Sequence, residues 1–391
     1  FKTKPPPPIK NHVYFLVPTK KLKHAAFRFR NDAFDEKLNT RDILLYPAYP
    51  LVIKSHVRRQ RAIPPSVPFP CPDAVTVGRS PERPTSVHRL RPGDIDVVAA
   101  IGDSLVAGSV NINICQYGTL IFCSPGGDAT WREFLTLPNI LKEFNPQVRG
   151  YSTGTGEWLT KNARLNVAFP VASDEDAFKQ AKVIVVARMR ASPDIDIDQD
   201  WKMLTIFIGA NDLCSASCLN PVSWSPAAHA KKLAKALDYL HENLPRTIVN
   251  LVPVLGEFIN LINLPTLMFS FQIMSSMWFQ VESGRYDSRE DFTVVVQPFM
   301  KLFNAPEPPP PKLSLVIHQS YITHDCFHFS QKGHALAANL LWNNLLEPIG
   351  NKSDNVPPVL LRSFLCPTRE APYIFTYKNS RTFLSTGSQE S

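Results

Sequence analysis

The sequence predicts an α/β fold: a mostly parallel sheet with helices over both of its faces. Two observations carry this reading. From about Asp94 onward, apolar runs of strand length alternate with helical patterns. The strands are also apolar nearly throughout, as strands covered on both faces must be. A length of 391 residues suits one large domain or two smaller ones, and a hydrophobic content of 44% supports a packed core.

The predicted strands are Ile95–Ile101, Lys202–Ile208, Thr247–Val254 and Phe292–Gln297, and the predicted helices are Asp174–Met189, Pro226–Glu242 and Gln331–Leu346. The second helix has a clear start, with Ser225 as its cap and Pro226 at its first position. Sites in such sheets gather beyond the carboxyl ends of the strands. The turn Gly102-Asp103-Ser104-Leu105 closes the first strand at such an end.

The rest of the chain divides by composition. Residues 1–90 are rich in Pro and basic residues with no sustained period ("KPPPPIK", "RAIPPSVPFPCP"), which predicts a poorly ordered segment or linker. Residues 91–350 are expected to form the folded domain, and residues 351–391 a C-terminal extension. The net charge of +8 sits in the first part: residues 1–90 hold 17 Lys and Arg against 6 Asp and Glu, a balance of +11, which leaves −3 for the remaining 301. A basic excess confined to a loose segment argues against a nucleic-acid partner, which needs a basic face on the fold.

Seven cysteines occur, at 71, 115, 123, 214, 218, 326 and 366, and none pairs with histidine at zinc spacing, so no metal is expected. Cys214 and Cys218 are close enough in sequence for a small disulfide, and unpaired thiols fit the spacing equally well. Asn351-Lys352-Ser353 is a glycosylation sequon. The run Phe258–Phe279 carries no charge over 22 residues, long enough to span a bilayer. Asn260, Asn263, Gln272 and the central Pro265 argue instead for a buried or surface-lying apolar segment that lines a lipid-accepting cleft.

Three separated pieces share one chemical logic. The first is Gly102-Asp103-Ser104-Leu105; the second is Gly209-Ala210-Asn211-Asp212, which ends the strand "TIFI"; the third is Asp325-Cys326-Phe327-His328, which precedes a helix. A serine hydroxyl is a weak nucleophile unless a base lies within hydrogen-bond reach and a third group orients that base. His328 supplies a base, and Asp325 lies three residues before it on one short turn. Asn211 can donate its amide to the oxyanion formed on an attacked carbonyl. His324, Asp103, Gly209 and Gly102 read as structural, and His334 as exposed.

These pieces, with "LNVAFPVASDEDAF", "DWKMLTIFIGANDLC" and "DCFHFSQKGHALAANLLWNNLLEPIG", resemble the GDSL (SGNH) hydrolases, and within them the phospholipase B group, from roughly Arg91 to Ser380. The resemblance implies a three-layer α/β/α sandwich that cleaves fatty acyl esters without a cofactor. It implies phospholipids, lysophospholipids or other lipid esters as substrates, at a membrane or micelle surface. It also implies one repeat of a tandem-repeat protein on the extracellular face of the apical membrane, a setting that favours a Cys214–Cys218 disulfide.

Residue by residue, Ser104 matches the family's nucleophile, His328 its base and Asn211 an oxyanion donor, with the Ser104 N–H as a second donor. Asp325 has the family's Asp-x-x-His spacing, and Asp212 is the alternative acid. Two departures stand out. Val171, preceded by Pro170, occupies the place of a glycine whose N–H completes the oxyanion hole. Its β-branch disfavours positive φ, so a catalytically weakened repeat that serves as a structural or lipid-binding module is the second expectation. The family's glycine-rich run after the nucleophile is shortened to "VAGSVNINICQYG", and residues 256–280 resemble the family poorly. A short-chain or carbohydrate esterase on the same fold is the third expectation.

Overall fold

A computed structural model describes residues 58–108, 126–216, 225–254, 280–303, 319–323, 328–353 and 360–387. Its centre is a four-stranded sheet made of β1 (Val97–Gly102), β2 (Lys202–Phe207), β3 (Thr247–Leu251) and β4 (Phe292–Val296). The order is β1-β2-β3-β4 and every pairing is parallel. The four predicted strands are therefore all present, displaced by a residue or two at their ends, except that the third stops at Leu251, three residues early. Beyond β1 an irregular fifth track joins the edge: Val98 N–H donates to Arg149 O at 2.8 Å, and Ala100 N–H to Leu165 O at 3.0 Å.

All residues of the four strands are buried, so helices cover both faces. The helices are α1 (Ser104–Ala107), α2 (Leu137–Phe144), α3 (Asp174–Lys179), α4 (Ala187–Ala191), α5 (Ala210–Ala216), α6 (Pro226–Asn243), α7 (Gln331–Leu345) and α8 (Tyr377–Gly387). One group consists of α3, the turns after it and α6; the other of α2 and α7. The chain leaves β1 for the edge track through α2 and returns to β2 through α3 and α4, and right-handed crossovers in both directions put these two groups on opposite faces. Ser225 caps α6 by accepting from Ala228 N–H at 3.3 Å, with Pro226 in the first turn, as the sequence predicts.

The helix predicted over Asp174–Met189 is not uniform. It runs to Ala191, and its middle, Gln180–Val186, is a π-helix. Such wide turns are frequent beside functional sites, and this one begins at Gln180, whose side chain bonds the backbone of Gly102.

The boundary drawn at residue 90 passes through packed structure. Val87, Leu90 and Ile95 are fully buried in the core with Cys71 and Ala74. Both flanks also lie against each other: Ile374 N–H donates to Leu90 O at 2.7 Å, His88 Nδ1 lies 2.8 Å from Thr376 Oγ1, and Phe375 N–H donates to Leu345 O at 2.8 Å. A disulfide joins Cys71 to Cys366, 295 residues apart. Residues 58–90 and 360–387 thus belong to the packed unit. They had read as loose because isolated apolar side chains in a Pro-rich chain leave no period to detect.

Cys115, Cys123, Cys218 and Cys326 lie outside the described residues, as does the side chain of Cys214, so the Cys214–Cys218 pairing lies outside them too. The apolar run Phe258–Phe279 also lies outside them, and among the described residues no helix is long and apolar enough to cross a membrane. Loss of a native disulfide commonly costs about 2–5 kcal/mol. Replacing Cys71 and Cys366 together by Ser should lower the free energy of unfolding by about that amount in denaturant titration. An unchanged transition would show that the bridge contributes nothing to the fold.

Candidate active site

The nucleophile candidate is set where β1 stops. Gly102 is the last residue of the strand, and a Cβ there would lie 2.2 Å from Val106 Cγ2 and 2.5 Å from Phe207 O, so only glycine fits. Its backbone is bracketed by one side chain: Gly102 N–H donates to Gln180 Oε1 at 2.8 Å, and Gln180 Nε2 donates to Gly102 O at 2.9 Å. Asp103 then caps α1, accepting from Leu105 N–H at 2.9 Å. Ser104 is the first residue of that short helix and is almost wholly buried.

His328 arrives from the far end of the chain. Its Nε2 lies 2.8 Å from Ser104 Oγ, across 224 positions of sequence. A small antiparallel closure fixes it: Thr323 N–H donates to His328 O at 2.9 Å, Ser330 N–H to Tyr321 O at 2.9 Å, and Ile322 bridges to Phe329. Ser330 in turn caps α7 through Gly333 N–H at 3.1 Å. Asp325 and His324 lie outside the described residues.

Asn211 sits in the first turn of α5, half-buried, and its Nδ2 donates to Ala172 O at 2.8 Å. A side-chain amide carries two N–H groups, so a second donor remains on Nδ2. Val171 adjoins that carbonyl. Ala172 N–H donates to Phe169 O at 3.3 Å, closing a turn with Pro170 second and Val171 third. Val171 has φ +59° and the residue is 74% exposed. Proline second and positive φ third are the marks of a type II turn, whose third residue is ordinarily glycine. The conformation the sequence flagged as unfavourable for valine is the one it adopts.

Asp212, the alternative acid, is turned elsewhere. It is buried, and its carboxyl accepts from Asp174 N–H at 3.2 and 3.0 Å. Asp174 in turn lies 3.0 Å from His229 Nδ1 and accepts from Lys232 Nζ at 2.8 Å. Burial, and then the neighbouring Asp174 carboxylate, push Asp212 up to about 8. Burial works against the Asp174 carboxylate as well, yet its hydrogen bonds to His229 and Lys232 hold it below its ordinary value. One ligand atom from each of Asp174, Asp212 and His229 lies within 4.8 Å of the others. A cation is already supplied there by Lys232, so the donor set does not call for a metal.

Asp103 is also raised, to about 6, by burial, with the amides of Leu105, Ala210 and Gly209 pulling the other way. His334 is not exposed as expected. It is buried on α7 against Phe329, and burial, with the nearby His328 charge, pushes it down to about 3. The polar residues of α7, Gln331, Lys332, His334, Asn339, Asn343 and Asn344, are scattered round the helix, so the sequence shows no polar face from which to place His334. Gln180, Asp174 and His229 were also missed, since each acts through a fold contact between distant segments.

A buried serine within hydrogen-bond reach of a histidine, beyond the carboxyl end of a parallel strand, is the arrangement used by hydrolases with a serine nucleophile. The GDSL-like lipase/acylhydrolase family model matches residues 98–341, and the chain belongs to that family. It is 40% identical over 349 residues to the human membrane-associated phospholipase B1, covering 79% of this chain and 23% of that protein. The mouse protein of the same name is 39% identical over 337 residues, covering 76% and 22%. The chain thus spans less than a quarter of the length of these relatives. Among solved structures, a protein described as a GDSL-like lipase from Parabacteroides merdae aligns at 16% identity with a TM-score of 0.41, covering 64% of this chain and 95% of that one. An acetylxylan esterase from Geobacillus stearothermophilus aligns at 13% with a TM-score of 0.38, covering 62% and 90%.

Two stability predictions follow from this geometry. Positive φ at a β-branched residue costs about 1–3 kcal/mol, against about 0.5–1 kcal/mol for the extra chain entropy of glycine. Val171→Gly should therefore raise the unfolding free energy by about 1 kcal/mol; a lower value would show the turn to be unstrained. The second concerns Asp212. Its folded pKa lies above the unfolded value, so its contribution is complete below the unfolded value and is lost as pH rises through about 8. Asp212→Asn should flatten the fall in denaturation midpoint between about pH 4 and 8. Parallel curves for the two proteins would contradict this.

Proposed function

We propose that the chain is a serine-dependent lipid ester hydrolase of phospholipase or lysophospholipase type, working through an acyl intermediate on Ser104. The observation that carries this is the 2.8 Å contact between Ser104 Oγ and His328 Nε2, within a family of lipases and acylhydrolases. His328 takes the hydroxyl proton as Oγ attacks the ester carbonyl, then gives it to the leaving alkoxide. Water, deprotonated by the same imidazole, releases the fatty acid. Asp325, three residues before His328, is assigned the orienting role, since Asp212 is engaged by the Asp174 amide. The Ser104 N–H, Asn211 and the Val171 N–H are assigned to the oxyanion.

The phospholipid or lysophospholipid class comes from the names of the curated relatives, and the setting is a membrane or micelle surface. The Cys71–Cys366 disulfide and the exposed sequon residue Asn351 support an extracellular location, because disulfides persist in oxidising compartments. The apical membrane face and a place among tandem repeats belong to the same proposal. One observation favours a second reading: strain at Val171 suits a slow repeat that binds lipid without turning it over.

Hydrolysis of lysophospholipid and of a p-nitrophenyl ester series of rising chain length, by the 391-residue chain and its Ser104→Ala variant, separates these readings. The proposal predicts a loss of about 10³-fold or more on substitution, with long chains preferred. Equal rates for the two proteins favour the binding module, and a preference for acetyl esters favours a short-chain esterase.

A further inference from the structure

The described residues contain a second buried polar cluster, centred on Asp174, that the chemistry above leaves unused. It draws on three elements. Asp174 opens α3, immediately after the turn that holds Val171. Asp212 lies in the first turn of α5, next to Asn211. His229 and Lys232 lie one turn apart on α6. Both carboxyl groups and the imidazole are buried, while the Lys232 side chain is about a quarter exposed. The cluster ties the turn carrying one assigned oxyanion donor to the helix carrying another, and the Asn211 Nδ2 bond to Ala172 O ties the same two segments a second time. Gly209 makes room for His229: a Cβ there would come within 2.6 Å of its Cε1.

We propose that Asp174 and Asp212, anchored by His229 and Lys232, are positioning residues that set the separation between the Val171 turn and Asn211, and so the width of the oxyanion site. The inference rests on the functional reading given above. The physical argument is one of rigidity. Val171 occupies a conformation its side chain disfavours, so the turn holds only if its surroundings over-determine it. The Asp174 amide, bonded to Asp212, is the first backbone group of the helix that follows, and it fixes where the turn must end. An Asp212 carboxyl that stays protonated presses no second negative charge on Asp174, consistent with its raised pKa.

The test compares steady-state kinetics on one long-chain ester for wild type, Ser104→Ala, Asp212→Ala, Asp212→Asn and Lys232→Gln, each checked by thermal denaturation. A widened oxyanion site weakens transition-state binding without altering ground-state binding. Asp212→Ala should therefore lower kcat about 10- to 100-fold, short of the ~10²–10³ for a lost donor, with KM within about threefold. Asp212→Asn, which keeps the acceptor for the Asp174 amide, should restore most of kcat. Lys232→Gln, at a partly exposed side chain, should lower kcat several-fold and supplies the answer if Asp212→Ala does not fold. Unchanged kcat in the folded variants, loss confined to KM, or no rescue by Asn overturns the inference while Ser104-dependent hydrolysis stands. Hydrolysis that is the same in wild type and Ser104→Ala overturns the functional reading and the inference with it.

Discussion

The contact between Ser104 and His328 is what the rest of the fold serves. A hydrogen bond of 2.8 Å between residues 224 positions apart requires that both backbones be fixed to within a few tenths of an ångström. On the serine side, the fixing comes from the wholly buried strand β1, held between β2 and the irregular track at 149–165, and from Gln180, which bonds both backbone groups of Gly102. On the histidine side, it comes from the closure between residues 321–323 and 328–330 and from the capped start of α7. Neither side alone brings the imidazole against the hydroxyl.

The packed flanks bear on the same constraint. α7 carries His328 at its threshold, and Phe375 N–H and the Trp342 indole tie it to the C-terminal segment, the latter donating to Leu365 O at 2.7 Å. That segment is locked to the residues before β1 by Cys71–Cys366 and by the bonds between His88, Thr376 and Asn379. The strand that presents Ser104 and the helix that follows His328 are therefore joined through the flanks as well as through the core.

How much of this was legible in the sequence follows from the range of each signal. Strands such as Val97–Gly102 announce themselves as unbroken apolar runs, and Ser225-Pro226 announces a helix start, because both signals are local. Ser104 and His328 could be picked out together because each lies at a strand end or turn and the two match one chemistry, and the structure brings them to 2.8 Å. What stayed hidden is non-local. Cys71 finds Cys366 across 295 residues, Gln180 finds Gly102, and Asp174 finds His229, and no spacing rule in the sequence links any of these pairs. His334 went to the wrong side because a helix buried nearly all round gives no polar face to read. Val171 was legible in a different way, as a residue type at odds with its place, and its φ of +59° puts a valine where a type II turn ordinarily takes glycine.

The account stands or falls on Ser104 being the activated nucleophile. Treating the chain with a fluorophosphonate and locating the adduct by mass spectrometry addresses this directly. The account predicts one covalent adduct, on Ser104, with a rate that collapses in His328→Ala. Adduct formation on another residue, or labelling of Ser104 that is unchanged without the His328 imidazole, would contradict it.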